Sequence, residues 1–137
     1  MTAFAASQLQ QAVFSLLKAD GALSGRVTGI YDEPPADARP PYVAFGEGQV
    51  ADASVKDRAG ATIRFDVQVW SGEASQMDAK EIMALVDQVL GGSTPPVPGF
   101  DVTEIRLQSA TVVRQFSESG SLYRGRLSYS ARVFKAA

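Results

Sequence analysis

Hydrophobic positions recur along the chain with two distinct periods. Between Ser7 and Lys18 the apolar residues are Leu9, Ala12, Val13, Leu16 and Leu17. That is the i, i+3, i+4, i+7, i+8 stripe of an amphipathic helix, with Gln8, Gln10, Gln11, Ser15 and Lys18 on the other face. Gly21 is the expected stop. A second stripe of this kind runs through Ile82, Leu85, Val86, Val89 and Leu90. Ser75 is its expected N-cap, with Asp78 three residues on in a capping-box position, and Gly91-Gly92 its expected end. From Thr62 to Trp70 the period changes to two. Ile63, Phe65, Val67 and Val69 alternate with Arg64, Asp66 and Gln68, which predicts a strand buried on one face.

Other strands are predicted around this one. Tyr42-Val43-Ala44-Phe45-Gly46 begins one, and residues 101–116 form an extended stretch. In that stretch Thr103, Ile105 and Leu107 share one parity and Val112 and Phe116 the other. A bulge or bend is therefore expected near Ser109-Ala110. After a turn at Ser117 to Ser121, Leu122 to Phe134 alternates again. Tyr123, Leu127, Tyr129, Ala131 and Val133 share one face, and Arg124, Arg126, Ser128, Ser130 and Arg132 the other.

The rest reads as connections. Asp32-Glu33-Pro34-Pro35 and Arg39-Pro40-Pro41 exclude a helix or central strand and predict a stiff surface excursion. Trp70, at the end of its strand, reads as an edge or interface anchor. The polar run Gly48 to Gly60 reads as a loop or the tip of a long hairpin. Residues 50–61 have little to bury alone and are expected to be mobile until a neighbour orders them. The order helix, strand, strand, helix, strand, strand, with a short extra strand near Ile30, predicts an α+β fold. Two amphipathic helices cover one face of a mostly antiparallel sheet, and residues 1–137 form one domain.

Composition narrows the function. At 137 residues, 45% hydrophobic and 20% charged, the chain resembles ordinary globular domains. It contains no cysteine and no histidine. Disulfides, thiolate metal sites and the usual histidine general base are thereby excluded, so no ordinary Ser-His-Asp triad can be assembled. The N-terminal stretch lacks a basic, apolar leader pattern, and no run approaches the roughly 18 apolar residues of a membrane span. No cofactor or metal motif is present: Gly46-Glu47-Gly48 opens no helix, and Asp32-Glu33 is a loop pair before two prolines. The expectation is a protein that is not an enzyme, with no catalytic, cofactor or metal residues.

Net charge is −2, but unevenly placed: residues 1–100 carry −5 and residues 101–137 carry +3. The candidate contact residues follow from this and from strand parity. They are Asp52, Lys56, Asp57 and Arg58 at the hairpin tip, and Arg106, Arg124, Arg126 and Arg132 on one sheet face. The alternative at both places is a solvated surface. Reversing Arg124 and Arg126 to glutamate is expected to spare the fold.

Several stretches, in order, carry a resemblance. They are the helix Leu9 to Asp20, Ile30-Tyr31-Asp32-Glu33-Pro34-Pro35, Pro41-Tyr42-Val43-Ala44-Phe45-Gly46-Glu47, Val67-Gln68-Val69-Trp70-Ser71, the helix Ala79 to Leu90, and Tyr123-Arg124-Gly125-Arg126-Leu127-Ser128-Tyr129. Together they make the chain resemble the tail terminator, or tail-completion, proteins of long non-contractile phage tails and gene transfer agents. The resemblance spans nearly the whole chain. It implies a ring-forming structural subunit at the neck end of a particle's tail, assembled in a bacterial cytoplasm. Its implied partners are five further copies of itself in a hexamer, the tail tube protein, and a head-side connector. DNA passes through the ring without sequence-specific binding, and no membrane is involved. In such a ring the arginine face lines the channel or meets an acidic neighbour. Protein contact is favoured, because a strongly cationic lumen grips phosphates. The competing readings are another neck or tail-tube component, a small-ligand or regulatory binding module, and a carboxylate-based hydrolase or nuclease.

Overall fold

A computed structural model describes residues 2–72, 76–117 and 120–136. Helix α1, Ala6–Ala19, buries Leu9, Val13 and Leu17, the i, i+4, i+8 line of its apolar stripe. α1 ends just before Gly21, the expected stop, but a second short helix, not foreseen, begins at that glycine. Asp20 closes α1 and, through its carboxylate, caps the short helix α2, Gly21–Ser24, by accepting from Leu23 N at 2.9 Å. Helix α3, Gln76–Leu90, buries Ala79, Ile82, Met83, Val86 and Leu90. Gly92, at φ 77°, takes the left-handed turn that follows the helix, as glycine does most cheaply. The expected N-cap, Ser75, lies outside the described residues.

Among the described residues, six strands form one sheet. They are β1 (Ile30–Tyr31), β2 (Tyr42–Asp52), β3 (Gly60–Ser71), β4 (Phe100–Val102), β5 (Arg106–Ser117) and β6 (Gly120–Lys135). Their order is β1-β2-β3-β6, with β4 and β5 both paired to the far side of β6. Every pairing is antiparallel except the short β1–β2 contact. The fold is thus α+β with a curled, mostly antiparallel sheet, as expected from the sequence.

The core lies between the helices and one sheet face. Val43, Ile63, Val67, Val69, Leu127, Tyr129, Ala131 and Val133 meet the buried stripes of α1 and α3. Gly125 permits the close approach of α3: a Cβ there would lie 2.4 Å from Met83 Sδ. Tyr129 is fully buried, stacks on Phe65 at 5.6 Å, and donates its hydroxyl to Asp87 at 2.9 Å. Burial, reinforced by that bond, raises its pKa. At the edge of the helix layer, Arg26 bonds to Asp78 and Glu81 of α3, and Ser71 also donates to Asp78. Burial alone would raise the Asp78 pKa, but the bonds from Ser71 and Arg26 outweigh it and hold the carboxyl below its ordinary value.

The segment between β2 and β3 is a hairpin end rather than an open loop. The ladder runs to Asp52 and resumes at Gly60, with a tight turn closed by the Val55–Arg58 bridge. The expected bulge in the 101–116 stretch is present, between Leu107 and Ser109. A second bulge, in β2 between Phe45 and Gly48, was not foreseen.

Candidate assembly surface

The sheet face away from the helices is built by strand alternation. On β3 it carries Thr62, Arg64, Asp66, Gln68 and Trp70, and on β6 their partners Arg132, Ser130, Ser128, Arg126 and Arg124. Arg106, opposite Ser130, joins the same face from β5. The parity reading of Arg106, Arg124, Arg126 and Arg132 therefore matches where the strands put them.

Their surroundings differ from a bare basic patch. Asp66 is only 7% exposed, and it accepts from Arg126 Nε at 2.8 Å and from Ser128 Oγ at 2.7 Å. Arg124 lies over the Trp70 ring, 6.0 Å from its centroid. Arg132 lies 5.1 Å from the Phe134 ring, and Arg106 pairs with Glu104 at 3.2 Å. Each guanidinium is held over an aromatic ring or beside a carboxylate, contacts worth about 0.5–1 kcal/mol at exposed sites. Reversing Arg126 would set a second carboxylate against buried Asp66. That contact gives the reversal of Arg124 and Arg126, expected to spare the fold, a cost in stability at Arg126.

Trp70 is not at a sheet edge, because β3 has a strand on either side. It is the centre of a stripe that crosses the face. Tyr31 meets Tyr42 edge-on at 5.9 Å, Tyr42 stacks on Trp70 at 6.3 Å, and Arg124 follows. Partial burial, with a small contribution from Tyr31, raises the Tyr42 pKa. Val113 of β5 pairs with Arg124 and ends the stripe, exposed.

The tip residues separate into two groups. Arg58 is used within the chain: it bonds to Asp101 at 2.5 Å and to the Lys135 carbonyl, and lies 5.3 Å from the Phe134 ring. Asp52 accepts from Ser54, whose hydroxyl and backbone bonds lower its pKa. Lys56 and Asp57 are exposed at the turn. The segment expected to be mobile is thus tied back to β4 and β6 through Arg58, because its own backbone ladder and that guanidinium supply the contacts it lacks in hydrophobic burial.

Both bulges lie at one level of the sheet, and between them the polar face is concave. Glu47, Gly48 and Gln49 of β2, Arg64 and Asp66 of β3, Arg126 and Ser128 of β6, and Gln108 and Ser109 of β5 line a single open hollow of about 600 Å³. Sequence reasoning did not assemble Tyr31, Tyr42, Arg64 and Asp66 into this face. The signal was available in part, since Arg64, Asp66 and Gln68 alternate out of phase with the β3 core residues. Among the described residues no group of three or more Asp, Glu, His or Cys is placed to hold a metal ion, and no helix is long and apolar enough to cross a membrane.

A small α+β subunit with a helix-covered core, a concave polar sheet face and open strand edges is a shape suited to joining others. The chain belongs to the tail completion protein gp17 family, whose model matches residues 11–133. Among solved structures it is similar to a chain in the virion of a native gene transfer agent particle: 32% identity, TM-score 0.84, covering 96% of this chain and 99% of that one. The fold is also that of the gp17 protein of bacteriophage SPP1, at 21% identity and TM-score 0.60, covering 97% and 91% of the two chains. No curated protein sequence matches the chain.

Proposed function

We propose that the protein is the tail terminator of a phage-like particle, of the gene-transfer-agent kind. It forms a hexameric ring on the tail tube, ends tube polymerisation and joins the tail to a head-side connector. The observation that carries this reading is the likeness, over nearly the full length of both chains, to a chain of a gene transfer agent virion, together with family membership. The role is structural: no reaction is assigned to any residue, and no cofactor is needed. DNA passes through the ring without base reading, in keeping with a chain of net charge −2.

The partners are further copies of the chain, the tube protein and the connector. Rings require heterologous contacts, in which one patch of a subunit meets a different patch of the next. Electron microscopy of particles made without this chain tests the reading. Tails of uncontrolled length, detached from heads, are expected. Normal joined tails in its absence, or this chain in the capsid shell, would overturn it.

A further inference from the structure

We infer that neighbouring subunits join by pairing the free edge of β5 with the free edge of β2 on the next copy, which extends the sheet around the ring. The inference rests on the ring reading above and names the surfaces that make it.

Among the described residues, two edges of the sheet are open. β1 covers β2 only at Val43 and Ala44, so Phe45 to Asp52 has no strand outside it among the described residues. β5 pairs with β6 on one side and with no described strand on the other. Unpaired N–H and C=O groups along such edges are templates for a further strand.

Direction is compatible. β2 and β6 both run antiparallel to β3, and β5 runs antiparallel to β6. β5 therefore runs opposite to β2. A copy related by rotation about an axis along the strands keeps its strand directions, so its β2 meets β5 antiparallel. Antiparallel pairing is the more stable ladder.

Charge is compatible too. The open stretch of β2 carries Glu47 and Asp52 and no base, whereas β5 carries Arg106 and Arg114 and no acid. Like edges repel, which discourages β2–β2 and β5–β5 pairs, and unlike edges attract. β5 also leaves Val113 and Phe116 exposed, Phe116 at 78%, with Arg114 4.8 Å from its ring. Exposed apolar residues beside an open edge gain burial only when another chain arrives.

Curvature agrees with closure. The polar face is concave between the two bulges, so a sheet continued edge to edge curls towards that face and keeps the helices outside. The arginine face then looks into the ring. Its charges are already held by Asp66, Glu104 and aromatic rings, which tempers the phosphate grip of a cationic lumen.

The chain has no cysteine, so engineered pairs read the contact cleanly. Gln49 of β2 and Arg106, Ser109, Thr111, Val113 and Gln115 of β5 share the polar face, and only same-face residues meet across a ladder. Gln49→Cys is combined with a cysteine at each β5 position in turn. Assembled particles are oxidised mildly and run without reductant. One register is expected to give a ladder of covalent dimers rising to hexamer, while each single variant stays monomeric. A second experiment is independent of register: Glu47→Arg or Arg106→Glu alone, both on the polar face, loses the ring from most particles, and the two together in one chain restore it. If no pair cross-links and both single reversals keep their rings in electron micrographs, edge pairing is wrong and the ring reading survives. If wild-type particles show no ring of this chain, the proposed function itself has failed.

Discussion

β3 and β5 are both 12 residues long and both pair with β6, one on each side. β3 buries Ala61, Ile63, Val67 and Val69, whereas every described side chain of β5 is exposed or only half-buried. The difference is positional. β3 has strands on both sides and helices over one face, while β5 has a strand on one side and no described strand on the other. A buried strand stabilises the subunit, and an exposed one is available to a neighbour. Regular alternation marks the first kind in the sequence, and a broken phase marks the second.

Two leucines give the largest test of that contrast. Leu127 is 2% exposed and Leu107 is 41% exposed, in adjacent strands. Leu127→Ala is expected to cost about 2–5 kcal/mol in urea unfolding through lost burial and a cavity. Leu107→Ala is expected to cost about 0.5–1 kcal/mol. Equal losses would remove the distinction between a structural strand and a spare one.

Gly125→Ala probes the buried side from the opposite direction. Its new methyl meets Met83 Sδ, so α3 or Met83 must shift, at about 1–3 kcal/mol. Adding Met83→Ala should relieve the clash while leaving the cost of a truncated core residue. A double variant no better than the sum of the singles would show that the methyl is accommodated elsewhere.

A smaller effect is expected where the helix layer is pinned by charge. Arg26→Met should cost about 1 kcal/mol, since the guanidinium is a third exposed and partly screened. The linked pH effect has a definite sign. The Asp78 pKa is lowered in the folded chain, so its contribution is complete above the unfolded carboxylate value of about 3.9. It is lost as pH falls through the lower folded value, because the unfolded chain takes up the proton first. Asp78→Asn should therefore flatten the acid limb of stability against pH below about 4. An unchanged limb would place the acid sensitivity in other carboxylates.

The smallest effect belongs to the open edge. Arg106→Glu with Arg114→Glu should change the unfolding free energy of the free protein by no more than about 0.5 kcal/mol. A larger loss in circular-dichroism melts would mean that β5 contributes to the fold as β3 does.

Several elements follow from local physics alone. The stripes of α1 and α3 and the alternation of β3 and β6 each state which face meets a core, because side-chain direction follows backbone period. The phase change at Leu107–Ser109 similarly announces its bulge. α2 was hidden, since Gly21 reads as a stop until Asp20 is seen to cap the next turn. The β2 bulge was hidden as well, because Gly46-Glu47-Gly48 has too little apolar pattern to reveal a phase.

What the sequence by itself determined is the two long helices and the long strands β3 and β6, the faces they bury, and the single parity shared by Arg106, Arg124, Arg126 and Arg132. Tertiary structure decided what those arginines do. Asp66 is 60 residues from Arg126 in the chain, and Arg58 is 43 from Asp101. Trp70 reaches Arg124 only because β3 and β6 lie in register. Tertiary structure also decided which strands are left with open edges. Periodicity reports how a residue faces its own strand, but partners and edges depend on the order in which strands are laid side by side. That order is set by long-range packing, which leaves no local mark on the chain.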